Sequence, residues 1–586
     1  MLRRRLILAT TPLVLGALVL AGCATQSAGS TSGTTLTTDD SAAVETTAVV
    51  DSDLAADAVL AANADVTVVN DDEWSSADAV DIELSDTTAS SDSSAVTVDG
   101  STVTISEGGV FRLSGSLDGQ IVVTAPEDAQ VVLILDDADI AASDSPAITV
   151  TSADDVVISL ADGSENSVSD AASYADDAAA NAAIYSDADL TITGSGSLSV
   201  SGNGNDGITS TDDLVILSGD ITADAVDDAL RGKDSLVVEG GTLDLTAGGD
   251  ALKSDQDEDA TQGFIWVSDG DISAVSRDDG LSAATDVVVT GGTINVTAGS
   301  SASAADASPK GVVAGIVVAL DGGDLTIDAV DDAVHSDGSV GIGGATLSVT
   351  TRDDGIHAEQ ALEVRDGSVV VEDSAEGLEA TDIAISGGTV DVTSSDDGLN
   401  GASGTVSTAG AGAGGGMGGG GETDSGETIV ISGGSVRVNA VGDAIDSNGS
   451  ITLSGGTTIV TGPTSGGGQG ALDANGAITV DGGSVSVAGS VLKTATGAQA
   501  WIAATVSGTA GQTVEITDAS GAVIDSFEAD ATFGAVFYSG PDVASDGSYS
   551  VSVDGSDAVT VTAGVAVQSE MGGGPGGGRG GRPQQP

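Results

Sequence analysis

The stretch Gly219–Gln256, GDITADAVDDALRGKDSLVVEGGTLDLTAGGDALKSDQ, followed after a short interruption by WVSDGDISAVSRDDGL (266–281), decides the fold. An acidic residue, then Ala or Gly, then an aliphatic recurs in it as Asp227-Asp228-Ala229-Leu230, Asp250-Ala251-Leu252 and Asp278-Asp279-Gly280-Leu281. The same phrase returns as Asp331-Asp332-Ala333-Val334, Asp353-Asp354-Gly355-Ile356, Glu376-Gly377-Leu378, Asp396-Asp397-Gly398-Leu399 and Asp443-Ala444-Ile445. Its second acid stands at 206, 228, 250, 279, 332, 354, 376, 397 and 443, and the uninterrupted steps are 22 or 21 residues. A fixed period of this size marks a repeat architecture.

Between the acidic phrases lies a second one, a glycine pair followed by alternating aliphatics. Examples are Gly240-Gly241-Thr242-Leu243-Asp244-Leu245 and Gly387-Gly388-Thr389-Val390-Asp391-Val392. Strict alternation is a strand with one buried face, and the glycine pairs are turns. A unit of ~22 residues built this way cannot bury its own apolar face, but stacked in register it can. The expected fold is therefore all-β, a parallel β-helix. Small residues such as Ala229, Ala251, Ala333 and Ala444 suit its narrow interior.

Register stacking turns the acidic position into a column of carboxylates spaced ~4.8 Å. Neighbours in it repel by about 0.9 kcal/mol in water and roughly 3.5 kcal/mol at an effective dielectric of 20. Two readings answer this repulsion. Hard cations, calcium above all, would be held by Asp227, Asp228, Asp250, Asp278, Asp279, Asp331, Asp332, Asp353, Asp354, Asp396 and Asp397. Alternatively the side chains only cap the turn backbone. Both can hold in one column.

The chain has 586 residues, 90 acidic against 15 basic, a net charge of −75, 85 glycines and 2% aromatics. That charge excludes nucleic acid and anionic membrane surfaces as partners and favours cations, neutral polymers or cation-bridged polyanions.

Residues 1–22 read as an export signal, with Arg3, Arg4 and Arg5 ahead of an apolar run. The signal ends in Leu20-Ala21-Gly22-Cys23, which resembles the bacterial lipoprotein cleavage motif, with Cys23, the only cysteine, as the lipidated residue. The expectation is an exported lipoprotein of the cell membrane facing the cell surface, touching the membrane only through its lipid anchor. Residues 23–70, rich in Ser, Thr, Ala and Asp, read as a flexible tether. Residues 71–182 hold an N-terminal β region and irregular first coils. Regular coils fill 183–499, broken by insertions at Gln256–Gly263, Gly299–Lys310 and a glycine-rich loop at 401–428. Residues 500–568 read as a small C-terminal β cap domain, and 569–586 as a disordered tail.

Taken together, NAAIYSDADLTITGSGSLSV, GGDALKSDQ, DDAVHSDGSVGIGGATLSV, DDGIHAEQALEV and SAEGLEATDIAISGGTVDV resemble the bacterial carbohydrate-binding, cellulose- and pectin-associated β-helix family. The resemblance spans about residues 65–568. It implies a right-handed parallel β-helix with bound calcium and, as function, polysaccharide binding at the cell surface without demonstrated catalysis. The chain departs from that pattern at Glu376 and at Gln469-Gly470-Ala471-Leu472, where the acid is lost.

Three residues past the second acid runs another column: Arg231, Lys253, Ser282, His335, His357, Glu379, Asn400 and Asp446. It points outward and is either a polymer-binding face or a solvated one. Arg231, Lys253, His335 and His357 are its candidate sugar contacts. Trp266 either stacks on a sugar ring or packs an insertion. A lyase on this fold would need a basic residue to take a proton, and Arg231, Lys233, Lys253 and Arg277 are available. Nothing selects one of them, so the expectation is a non-catalytic, monomeric binder with no catalytic residues, the alternatives being a calcium-dependent polysaccharide lyase or a structural or adhesive calcium solenoid.

Overall fold

The computed structural model describes residues 53–175, 178–299, 308–403, 423–464, 470–490 and 494–566. The signal peptide, Cys23, the tether up to residue 52, most of the glycine-rich loop and the tail 569–586 lie outside the described residues.

The chain is all-β, with one short α-helix among the described residues, α1 (Ala56–Ala62). Each repeat contributes three strands. In the first fully regular one these are a long strand Asp220–Ala225, a short strand Leu230–Gly232 and a middle strand Ser235–Val238. Every strand pairs in parallel with its equivalent one repeat later. Asp220 faces Thr242, Leu230 faces Leu252, and Leu236 faces Ile265. The pairing continues through most of the chain as one sheet of 46 strands. A one-residue slip would turn each aliphatic outward, so the alternation holds the register. Ile221, Leu243, Ile272, Ile294, Leu325 and Leu347 form one such inward column and are at most 2% exposed. Ala229, Ala251, Ala333 and Ala444 are fully buried.

In the glycine pairs Gly240-Gly241, Gly291-Gly292, Gly387-Gly388 and Gly433-Gly434 the second residue has a conformation that L side chains avoid. Gly434 has φ +73°, and a Cβ there would lie 2.6 Å from the Gly387 carbonyl oxygen of the preceding repeat. The glycine pairs therefore let successive turns nest on one another.

Three features add to the sequence expectations or differ from them. First, the long step between Asp279 and Asp332 contains a further repeat. Its short strand, Val312–Ala314, is flanked by Leu281–Ala283 and Val334–Ser336. Lys310 occupies the acid position there, which disguises the repeat as an insertion. Second, the irregular first coils expected before residue 183 already pair in parallel, with Val80–Asp86 beside Gly109–Leu117.

Third, residues 53–70, expected to be part of a flexible tether, lie along the outer face of the middle strands. Ala56 and Val59 of α1 pack on Val288 and Ala319. Val66 and Val68 pack on Val215, Val237 and Phe264, and Val69 on Val132, Ile134 and Val157. Backbone N–H groups of this strap reach the body: Ala56 donates to Asp321 Oδ2 at 2.7 Å and Thr67 to Asp213 Oδ2 at 2.8 Å. The physical reason is that the middle strands carry apolar residues on both faces, and the outer face needs cover.

At the C-terminal end, Ala535–Ser539 pairs antiparallel with Ser484–Gly489, covering an edge that would otherwise be open. A four-stranded antiparallel sheet, Thr513–Asp518, Val523–Glu528, Ser548–Val553 and Val559–Thr562, follows.

We expect Gly434→Ala to destabilise the chain by about 1–3 kcal/mol through the strained φ and the backbone clash. Thermal unfolding checks this, and an unchanged midpoint would contradict the nesting of the glycine turns.

Candidate functional site

The acid column sits at the turn between the long and short strands. Asp206, Asp228, Asp250 and Asp332 are buried, at 1%, 4%, 4% and 5% exposed, whereas Asp279, Glu376, Asp397 and Asp443 are half-buried. The carboxylates cap backbone, but across repeats rather than within their own turn. Asp228 Oδ1 accepts the Asp250 N–H at 2.9 Å, Asp250 Oδ1 accepts that of Asp279 at 2.9 Å, and Asp279 Oδ1 that of Lys310 at 2.8 Å. Asp332 does the same for Asp354 at 3.2 Å and Asp397 for Asp443 at 2.6 Å. Asp443 continues the series to Gly470. A buried N–H left without such a partner costs about 1–3 kcal/mol, which is one physical reason for an acid in most of the repeats.

The other oxygen of each carboxylate faces the outward column. Lys253 Nζ lies 3.2 Å from Asp228 Oδ2 and 2.9 Å from Asp250 Oδ2. Arg231 reaches Asp206 Oδ2 at 3.8 Å and Asp255 Oδ2 at 2.6 Å. Lys310 reaches Asp331 at 2.7 Å and Asp332 at 3.4 Å. His335 Nδ1 lies 2.7 Å from Asp332 Oδ2, and His357 Nδ1 lies 3.0 Å from Asp354 Oδ2. Burial works to lower the Lys253 pKa, but Asp250 and Asp228 overcome it, so the ammonium is held charged. Lys310 is the functional residue that sequence reasoning misses. The phrase Lys310-Gly311-Val312 matches the repeat except for the sign of its charge.

Beyond Glu379 the outward column has no cationic residue among the described ones: it continues as Asn400, Asp446 and Asp473. Burial, then Asp443, Asp397 and Asp473, push the Asp446 carboxyl up to about 7. Burial likewise pushes Asp397 to about 6. Asp228 rises to about 7 by burial, against the opposing charge of Lys253. Asp279 rises to about 7 by burial, with the Lys310 N–H pulling the other way.

The expected metal ligands converge in part. Oxygens of Asp206, Asp227 and Asp228, of Asp250, Asp278 and Asp279, and of Asp331, Asp332 and Asp353 lie within 4.8 Å of one another. A Cβ on Gly249 would lie 2.5 Å from Asp227 Oδ1 and 2.7 Å from Asp228 Oδ1. Gly442 stands in the same relation to Asp396 and Asp397. Both glycines leave a cradle beside a carboxylate pair, and all donors there are oxygen, which fits a hard divalent cation. Where the next repeat has an acid instead, the carboxyls abut. Burial and then a hydrogen bond with Asp331 raise Asp353 to about 6. At the departing repeat, Asn400 Nδ2 donates to Glu376 Oε2 at 2.6 Å.

Four of the five candidate sugar contacts, Arg231, Lys253, His335 and His357, share the outward column and have polar groups committed to the acids. Trp266 stands apart. It packs under the strap with Val66, Val68 and Leu60, and its Nε1–H donates to Thr290 Oγ1 at 3.1 Å. It is placed for packing rather than for stacking on a sugar.

The outer face of the long strands carries no signal in the sequence that marks it as a site. From Asp220 to Ala329 every outward residue of five successive long strands is exposed. One column there alternates Asp220, Thr242, Asp271, Thr293 and Asp324. The outward residues are mostly hydroxyls and carboxylates, with Asn295 and Thr297 among them and Val275 as an exposed apolar exception.

A family model described as carbohydrate-binding domain-containing protein matches residues 99–355 and 340–466. Among solved structures, the polysaccharide lyase-like protein from C. thermocellum, a gadolinium derivative, is 29% identical. The match covers 50% of this chain and 96% of that one with a TM-score of 0.35. Among curated proteins none matches.

The raised carboxyls set the sign of a pH dependence. Asp228, Asp279 and Asp446 hold protons in the folded chain up to about 7, against an ordinary value of 3.8. Their contribution is fully present below the unfolded pKa and lost as pH rises through the folded one. Stripped of divalent cations, the chain is expected to melt at lower temperature at pH 8 than at pH 5, and calcium should restore the pH 8 midpoint. A higher midpoint at pH 8 in chelator would contradict this.

Proposed function

The chain belongs to the family of carbohydrate-binding domain-containing proteins, and from that premise we propose that it binds polysaccharide, cellulose- or pectin-like, without transforming it. The family match over 99–466 carries this reading. We read the stacked repeats as a right-handed parallel β-helix. Its exposed long-strand face offers donors and acceptors in rows spaced ~4.8 Å, suited to a chain of repeating hydroxylated units. The other two faces are occupied, one by the strap and one by the acid column with its counter-ions. Calcium is proposed to neutralise the acid column at its oxygen-lined cradles: at Asp396 and Asp397 beside Gly442, where the outward column supplies no cation, and at Asp227 and Asp228 beside Gly249, where Lys253 reaches Asp228 Oδ2. Cys23 would carry the lipid that tethers the exported chain to the membrane, with the body facing the cell surface.

The basic residues considered for lyase chemistry favour the non-catalytic reading. Lys253 is held charged between two carboxylates, so it is a poor proton acceptor. Arg231 pairs with Asp206 and Asp255.

The test is retention on insoluble cellulose and on pectate gel, with calcium and with chelator, using the chain from residue 53 onward so that the strap is kept. Retention on one of them is expected. The double substitution Asn295→Glu, Thr297→Glu should weaken it at least about tenfold, near 1.4 kcal/mol. Arg231→Gln should leave it nearly unchanged. Retention on neither material would sink the polysaccharide reading. Loss with Arg231→Gln alone would move the glycan to the short-strand face.

A further inference from the structure

The two histidines of the chain stand one repeat apart in the same column, His335 facing His357 across the parallel pairing. Their rings stack with centroids 4.9 Å apart at 26°. Each imidazole lies between two carboxylates. His335 has Asp332 at Nδ1 (2.7 Å) and Asp337 at Nε2 (3.2 Å). His357 has Asp354 at Nδ1 (3.0 Å) and Glu359 near Nε2 (3.8 Å). Ligand atoms of Asp332, His335 and His357 lie within 4.8 Å of one another, as do those of Asp354, His357 and Glu379.

This cluster differs in kind from the rest of the acid column. Arg231 and Lys253 occupy the same outward position but have no lone pair to offer while charged. An imidazole has one. Calcium prefers oxygen and gains little from a ring nitrogen, whereas imidazole with carboxylate suits zinc. A carboxylate on one ring nitrogen, leaving the other to ligate, is the usual support of a zinc-bound histidine. The observed spacing of up to 4.8 Å must contract to about 3.3 Å for tetrahedral zinc, a movement of side-chain ends.

We propose that His335 and His357, with Glu379 and the column carboxylates Asp332 and Asp354, form a binding site for one zinc-class divalent ion, distinct from the all-oxygen cradles. His357 belongs to both ligand trios, so it is a ligand wherever the ion sits in the cluster.

The chain offers a direct test, because a tag-free preparation labelled with ¹⁵N-histidine reports on these two residues alone. In excess calcium, added Zn²⁺ is expected to shift the imidazole signals of both residues and to saturate at about one equivalent. Calcium without zinc should leave the ring nitrogens where they were. His357→Gln should weaken Zn²⁺ binding at least tenfold. Imidazole signals unmoved by saturating Zn²⁺, a shift at one histidine only, or an affinity unchanged in His357→Gln would each overturn the site. The labelled unsubstituted chain distinguishes these outcomes even if the variant does not fold.

Discussion

A carboxylate has two oxygens, and this fold uses them for different purposes. One closes a hydrogen bond to the backbone of the next repeat, from Asp228 through Asp250 and Asp279 to Lys310. The other is left pointing at the outward column. The bond makes the acid a structural need, and register stacking then forces the acids into a line. Electrostatic stress is the consequence of a satisfied backbone. It accompanies carboxyls that burial holds well above their ordinary range at Asp228, Asp279 and Asp446. The chain relieves it with its own cations as far as His357, and among the described residues that column holds none beyond. External ions are needed most where internal ones stop.

The three outer faces follow from what each strand class carries. Middle strands such as Ser235–Val238 and Asp286–Val289 are buried on both sides, where a segment from the N-terminal region covers them, whereas later ones such as Thr428–Ile431 alternate. Short strands hold the acids and their counter-ions. Long strands alternate strictly and leave their polar side to solvent. The face most open to a polymer is thus also the one with least structural duty. That separation lets recognition residues vary without disturbing the ladder.

Much of the architecture is legible in the sequence because period and alternation are local signals. The 22-residue step, the glycine pairs and the inward alanines each appear in short windows. What escapes detection depends on contact between distant segments. Val66 and Val68 look ordinary in a Ser- and Asp-rich run until the apolar Val215 and Val237 are placed beneath them. Trp266 looks free for a sugar for the same reason. Lys310 hides a repeat when the pattern is sought by charge, because its structural part is the backbone N–H bonded to Asp279. The column of acids follows from the period, but sequence alone leaves turn capping and metal binding as rivals. Because the two oxygens separate, the two roles are compatible on one side chain.

The most direct measurement is amide hydrogen exchange at Asp279 in the unmodified chain, in Asp250→Asn and in Asp250→Ala. Asparagine keeps an accepting oxygen and removes the charge, whereas alanine removes both. The account predicts slow exchange at Asp279 in the unmodified chain and in Asp250→Asn, and fast exchange there in Asp250→Ala. Equal protection in all three would mean that the cross-repeat carboxylate bond does not hold the stack together.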